Sequence, residues 1–287
     1  MPSKTFLFLS VLSFLILYSA PARAFQTGNM VLIPAGSFSM GDPFNEGTVE
    51  ELPVHTVTLS AYYIDAYEVT NALYCQYLNS DSNNLVISAG SVKNASGTDE
   101  YYDLDSIEAK ISWDGTSFVI DGGYENHPVM AAVWYGANAY AAFHGKRLPT
   151  EAEWEKAARG GLPGKRYPWG DGLSASDANY NLGVSAEIGG YPPNGYGIYD
   201  MAGNAQEWCN DGYQTDYYSV SQATDPQGPE VSTQNRKMIR GGWWNGSSVT
   251  CSRRQTHYIY ESYNGTGFRC AGSAASFIDG WKEYKER

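Results

Sequence analysis

The sequence has no Cys-x-x-Cys pair, and its four cysteines and four histidines show none of the spacings of a zinc knuckle. That sets aside dithiol redox motifs and small structural zinc sites. Charge is sparse, at 17% of residues, and it is one-sided, with a net charge of −12. An acidic surface repels nucleic acid and anionic lipid, so neither is an expected partner. There is no internal repeat and no linker, which argues against a solenoid or a string of modules. Aromatic residues are plentiful: 23 Tyr and 8 Trp among 287 residues. Such a load suits a loop-rich core or a surface that makes contacts through rigid rings.

The N-terminus has the form of a targeting segment. Lys4 supplies positive charge, Phe6 to Tyr18 is apolar, and Ala22-Arg23-Ala24 has the small-x-small pattern of a signal peptidase site. The run is short for a membrane span, so no span is expected after cleavage. Residues 1–24 are therefore read as a signal peptide and the chain as exported, to a periplasmic or extracellular compartment. Export permits disulfides among Cys75, Cys209, Cys251 and Cys270, but four cysteines allow three pairings. Asn94, Asn245 and Asn264 begin N-x-Ser/Thr triplets, which carry glycans only along a eukaryotic secretory route.

The local patterns predict an α+β domain over 25–275 with much irregular structure, followed by a tail at 276–287. Met30 to Met40 reads as strand, Pro-Ala-Gly turn and strand, and Val54 to Ala61 alternates as a half-buried strand does. Thr70 caps an expected helix from Asn71, and Val133 to His144 reads as a second helix. Thr150 and Glu153 fit a capping box at the head of a third, with Trp154 and Ala158 facing the core. Residues 80–124 read as an insertion that decorates the domain, with a hairpin turned at Asp114-Gly115.

Several segments in fixed order resemble the formylglycine-generating enzyme (sulfatase-modifying factor) family. They include Met30-Val-Leu-Ile-Pro-Ala-Gly-Ser-Phe-Ser-Met-Gly41, Gly145-Lys-Arg-Leu-Pro-Thr-Glu-Ala-Glu-Trp-Glu155 and Asn194-Gly-Tyr-Gly-Ile-Tyr-Asp-Met-Ala-Gly-Asn-Ala-Gln-Glu-Trp208. Arg240-Gly-Gly-Trp243 and Gly267-Phe-Arg-Cys270 complete the set. The resemblance implies a C-type-lectin-like fold with bound calcium. Its catalytic members hold copper(I) on two cysteines and oxidise a cysteine of a substrate sulfatase to formylglycine.

Calcium favours mixed carboxylate and carbonyl oxygens. Asp200 and Glu207 offer carboxylates, and the small residues Gly203 and Ala205 let their carbonyls approach an ion. The resemblance assigns these same four positions to Ca2+. The alternative is that Asp200 caps a turn while Glu207 pairs with an arginine such as Arg240. The resemblance also implies a second ion site at Asn179 and the Tyr180 carbonyl, in a segment shortened here after Leu182. Glu68 matches a further ion-binding position, or is a buried carboxylate satisfied by backbone N–H groups.

For Cu+, the resemblance places the second thiol at Cys251 but the first at Gly246, which offers no ligand. Soft copper(I) favours two thiolates, so oxidase chemistry lacks half its grip. Three readings of Cys251 stay open: a disulfide with Cys270, a buried small hydrophobe, or a ligand joined by Cys209 or His257. Trp243, Trp244, Tyr258, Tyr260 and Tyr263, with Arg253 and Arg254, form a candidate face for a peptide, protein or small ligand. At least two of the five rings are expected to be core. Two functions follow: a calcium-stabilised binding or accessory module, or a copper- or oxygen-dependent peptide oxidase.

Overall fold

A computed structural model describes residues 29–81, 84–229 and 234–274. The expected signal peptide and the 276–287 tail lie outside the described residues.

The chain opens with four strands: β1 (Met30–Ile33), β2 (Gly36–Met40), β3 (His55–Leu59) and β4 (Tyr62–Asp65). The first two are separated by Pro34-Ala35, as the sequence predicts, yet they do not pair with each other. β1 pairs antiparallel with β4, and β2 pairs antiparallel with β3. Gly36 sits at φ 139°, a conformation closed to residues with a Cβ, and this lets the chain swing from one sheet to the next. Helix α1 (Asn71–Ser80) starts where Thr70 accepts from the Leu73 N–H, the expected cap.

The segment read as decoration is part of the core. It forms β5 (Val86–Ser88), β6 (Ser91–Lys93), β7 (Glu100–Asp103), β8 (Ile111–Trp113) and β9 (Phe118–Ile120). Val92, Tyr102, Ile111 and Phe118 from these strands are buried in one cluster with Tyr74, Tyr140, Trp208 and Phe268. Alternation over three-residue strands is too short to reveal which face is buried.

Helices α2 (Trp134–Phe143) and α3 (Glu151–Ala158) follow, and Thr150 and Glu153 form the predicted capping box. All eight residues of α3 are buried, including Glu151, Glu153, Glu155 and Lys156. Its acidic and basic side chains meet other polar groups inside. Then come β10 (Gln206–Gly212), the one-turn α4 (Tyr217–Val220), β11 (Arg236–Arg240), β12 (Gln255–Tyr258), β13 (Thr266–Gly267) and β14 (Ala271–Ser273). The central sheet runs β12-β11-β10-β13, with Glu207 opposite Arg240. β14 returns to pair with β4, closing the chain's end onto its beginning. Among the described residues, no helix is long and apolar enough to cross a membrane.

Candidate functional site

The loop before β10 carries the predicted calcium donors, and the fold gathers nearly all of them. Gly203, at φ 81°, presses against the Asn179 carbonyl, which lies 2.2 Å from where a Cβ would stand. Asn204 donates its backbone N–H to that carbonyl at 2.8 Å, and the Asn179 side-chain amide donates to Asn204 Oδ1 at 3.1 Å. Glu68 reaches in from the end of β4. It accepts from Asn204 Nδ2 at 2.7 Å and from the Ala205 N–H at 2.9 Å. Glu68, Asn179, Tyr180, Asp200, Gly203, Ala205 and Glu207 thus belong to one packed assembly.

Its charge is not balanced. Arg269 donates to both oxygens of Glu207 at 2.7 Å, and Trp154 Nε1 donates to Glu207 Oε2 at 2.9 Å. The anticipated arginine partner exists, but it is Arg269 rather than Arg240. Asp200 and Glu68 are also buried, and the charge of Arg269 is the one that lowers both their pKa values. Burial pushes the Asp200 carboxyl up to about 6, against the Gly189 N–H bond to Oδ2 and the pull of Arg269. Burial first, and then the charges of Asp200 and Glu207, raise Glu68 well above the usual carboxylate range. Asn179 Oδ1 is buried with no hydrogen-bond partner.

A second buried cluster lies across the Trp154 ring. Arg240 donates to Glu151 at 2.8 Å and to Glu155 at 2.5 Å, and Arg254 forks onto Glu151 at 2.7 and 2.9 Å. Arg159 binds Glu155 at 2.7 Å, and Asp211 accepts the Glu151 N–H at 2.7 Å. Trp154 lies under the Arg240 guanidinium at 5.4 Å. Arg254, expected to offer its fork to a ligand, is spent on Glu151 inside the core, with only 3% of its surface exposed. This network escaped the sequence reading. Glu151, Glu155 and Arg159 at successive i, i+4 positions were its one visible signal.

The thiols depart from one of their three readings. All four cysteines are free and buried. Cys251 and Cys270 sit in different core clusters, so the expected bridge between them is not formed. Cys251 has no exposed surface, and burial raises its thiol to about 12, although Arg159 pulls the other way. Cys209 shares its cluster and is likewise raised by burial. His257 stacks on Tyr263 at 3.6 Å and packs edge-on to Trp208 of the other cluster. At Gly246, a Cβ would stand 2.8 Å from Trp243 Cδ1. The indole of Trp243 occupies the space that a side chain at 246 needs.

Fewer rings are core than expected: of the five, Trp244 alone is buried, packing with Met130 and Ala205, and Trp243 lies partly exposed against it at 4.9 Å. Tyr258 and Tyr260 stack at 5.5 Å, with Arg236 over Tyr258, while Tyr260 and Tyr263 are about half exposed. Arg253 is partly exposed beside the buried Arg254.

Comparison with known proteins bears on this geometry. The family model "Sulfatase-modifying factor enzyme 1-like domain" matches residues 18–274. Formylglycine-generating enzyme of Streptomyces coelicolor is 35% identical, over 88% of this chain and 92% of its own. The inactive Cα-formylglycine-generating enzyme 2 of Bos taurus is 31% identical, over 87% of this chain and 89% of its own. Serine/threonine-protein kinase pkn1 of Chlamydia pneumoniae is 40% identical over 84% of this chain. The match covers 37% of that protein, so the chain spans little more than a third of its length. Among solved structures, PvdO of Pseudomonas aeruginosa superposes with a TM-score of 0.64 at 26% identity, covering 85% of this chain and 94% of that one. The fold is the C-type-lectin-like one that the motifs imply.

Proposed function

The chain belongs to the sulfatase-modifying factor family, and on that premise we propose that it is an exported, calcium-stabilised binding or accessory module rather than a formylglycine generator. The observation that carries this reading is the Trp243 ring filling the space beside Gly246, where the family places its first copper ligand. The remaining thiol, Cys251, is wholly buried and held protonated. Burial thus disfavours the thiolate that a nucleophile or a soft-metal ligand requires. The donor set present does not fit copper(I).

Its oxygen-rich donors favour calcium instead, although no three acidic, His or Cys side chains among the described residues stand arranged to hold an ion. Burial raises Glu68 and Asp200 above the ordinary carboxylate range, and the one guanidinium beside them, Arg269, offsets a single charge; a divalent cation would favour their ionised forms. Each carboxylate oxygen has two lone pairs, so Glu207 can bind an ion without releasing Arg269. Asp200, Glu207 and the carbonyls of Gly203 and Ala205 would hold the first ion, with Glu68 behind them. Asn179, whose Oδ1 lacks a partner, and the Tyr180 carbonyl would serve the second. Bound calcium would supply neutralisation and a clip between loops, offsetting chain entropy. The side chains of Trp243, Tyr258, Tyr260 and Arg253 would then meet a peptide, protein or small ligand, with Trp244 and Arg254 bracing them from beneath.

Thiol titration of the native, calcium-loaded protein with added copper(I) tests the reading. Cys251 should stay unreactive until the protein unfolds, and no copper should be retained. Tight copper uptake, or aldehyde formation on a cysteine peptide, would overturn it. The second reading, a peptide oxidase, is favoured by the 92% coverage of the Streptomyces coelicolor enzyme. It predicts that opposite result.

A further inference from the structure

The sequence contains three Asn-Gly pairs: Asn194-Gly195, Asn245-Gly246 and Asn264-Gly265. Such a pair is open to spontaneous deamidation. The main-chain nitrogen of the glycine attacks the asparagine Cγ, and with no Cβ on the glycine nothing crowds the approach. The reaction needs an asparagine side chain that is free to turn and a glycine N–H that is not tied into a hydrogen bond. The fold treats the three pairs differently.

Asn194 is buried, and its side-chain amide is bonded at both ends. Nδ2 donates to the carbonyls of Ala157 and Ala158 at 2.7 and 3.2 Å, and Oδ1 accepts from the N–H groups of Tyr196 and Ile198 at 3.0 and 3.2 Å. Asn245 is exposed, but the Gly246 N–H donates to the Trp243 carbonyl at 2.8 Å. Asn264 is exposed too, and it holds the second position of a turn closed by the Thr266 N–H on the Tyr263 carbonyl at 3.0 Å. Gly265 takes the third position at φ 77°, as a type II turn requires. The central peptide of such a turn stands across it, and its N–H makes no bond within the turn. Among the described residues, the Asn264 carbonyl, the Gly265 N–H and the Asn264 side-chain amide have no hydrogen-bond partner. Only this pair has both the free side chain and the free nitrogen.

We propose that Asn264 is the deamidation site of the folded protein, converting without an enzyme to aspartate and isoaspartate. The Gly265 nitrogen bonds to Cγ and gives up its proton, and the side-chain nitrogen leaves as ammonia. Water then opens the cyclic imide at either carbonyl. No electrons are transferred: one water enters and one ammonia leaves. The product carries a further negative charge beside Tyr263, and its isoaspartyl form lengthens the main chain just before Gly265, which packs against the Trp243 ring. The change thus falls on the aromatic face. Its consequence for a ligand rests on the functional reading above; the modification itself does not.

The test is peptide mapping by mass spectrometry after the folded full chain has stood in mildly alkaline buffer made with heavy-oxygen water. The label marks conversion that precedes digestion. The tryptic peptide Gln255–Arg269 should exchange its amide for a labelled carboxyl, divided between Asp and isoAsp on electron-transfer fragmentation. It should convert about tenfold faster than the peptide carrying Asn245, the order by which one hydrogen bond on the attacking N–H slows the reaction. Asn194 should stay intact. In guanidinium chloride the three pairs lose their different settings, and their rates should converge. Asn264→Gln, an exposed change, should remove the signal from its own peptide and leave the others as they were. No conversion at 264, conversion at 245 or 194 that is as fast in the folded chain, the same ranking after unfolding, or a signal that survives Asn264→Gln overturns the proposal.

Discussion

Two clusters of buried charge flank Trp154, and they are built on opposite terms. In one, Arg159, Arg240 and Arg254 face Glu151, Glu155 and Asp211. In the other, Arg269 alone faces Glu68, Asp200 and Glu207. The first is nearly balanced by its own side chains. The second has one guanidinium for three carboxylates, two of them raised by burial toward their protonated forms. Burying charge costs several kcal/mol per ion unless it is compensated, so the second cluster is the one for which we propose a cation from outside.

Removing Arg240 would break the comparison most severely. Arg240→Met takes from Glu151 and Glu155 the arginine they share, leaving each only its second partner, Arg254 or Arg159, and should cost about 3–5 kcal/mol, measured by urea unfolding. A loss under about 1 kcal/mol would mean that the network behaves like a surface pair.

Calcium addition should act on the other cluster alone. At 100 times its dissociation constant it should stabilise the protein by about 2.7 kcal/mol, seen as a raised melting temperature reversed by chelator. Asp200→Asn keeps an acceptor for the Gly189 N–H but removes the charge, so it should abolish most of that response. A melt indifferent to calcium in the wild-type chain would leave the second cluster without its proposed counterion.

Trp154→Phe keeps a ring under Arg240 but deletes the N–H to Glu207. The cost of a hydrogen bond to a charged group is about 1.5–3 kcal/mol. In a double-mutant cycle with Asp200→Asn, non-additivity would show that the indole joins the two clusters, and strict additivity would separate them.

A further test, read against pH, concerns Asp211. Burial, and then the charge of Glu151, push its carboxyl up to about 7. The folded protein keeps a proton that the unfolded chain releases near its ordinary value of 3.8. The stabilisation is therefore complete below that lower value and is lost as pH rises through 7. Asp211→Asn should flatten this part of the stability–pH curve. An unchanged curve would contradict the assignment.

The sequence made the local half of this structure legible. Thr70 and Thr150 cap as their spacing predicts, because a cap is settled within four residues. The absence of sulfur at 246 was also readable, since it is visible within one local motif. The arginine partners were not. Glu151 meets Arg254 across 103 positions, and Glu207 meets Arg269 across 62. Only chain topology decides such pairs. The same blindness made 80–124 look peripheral when its aromatics complete the core.

The ring of Trp243 sits between two residues without side chains: a Cβ at Gly246 would meet it at 2.8 Å, and one at Gly265 at 2.1 Å. The two glycines and the indole therefore form an interlock: a cysteine placed at 246, or any side chain placed at 265, requires the ring to turn aside, so neither position changes independently of Trp243.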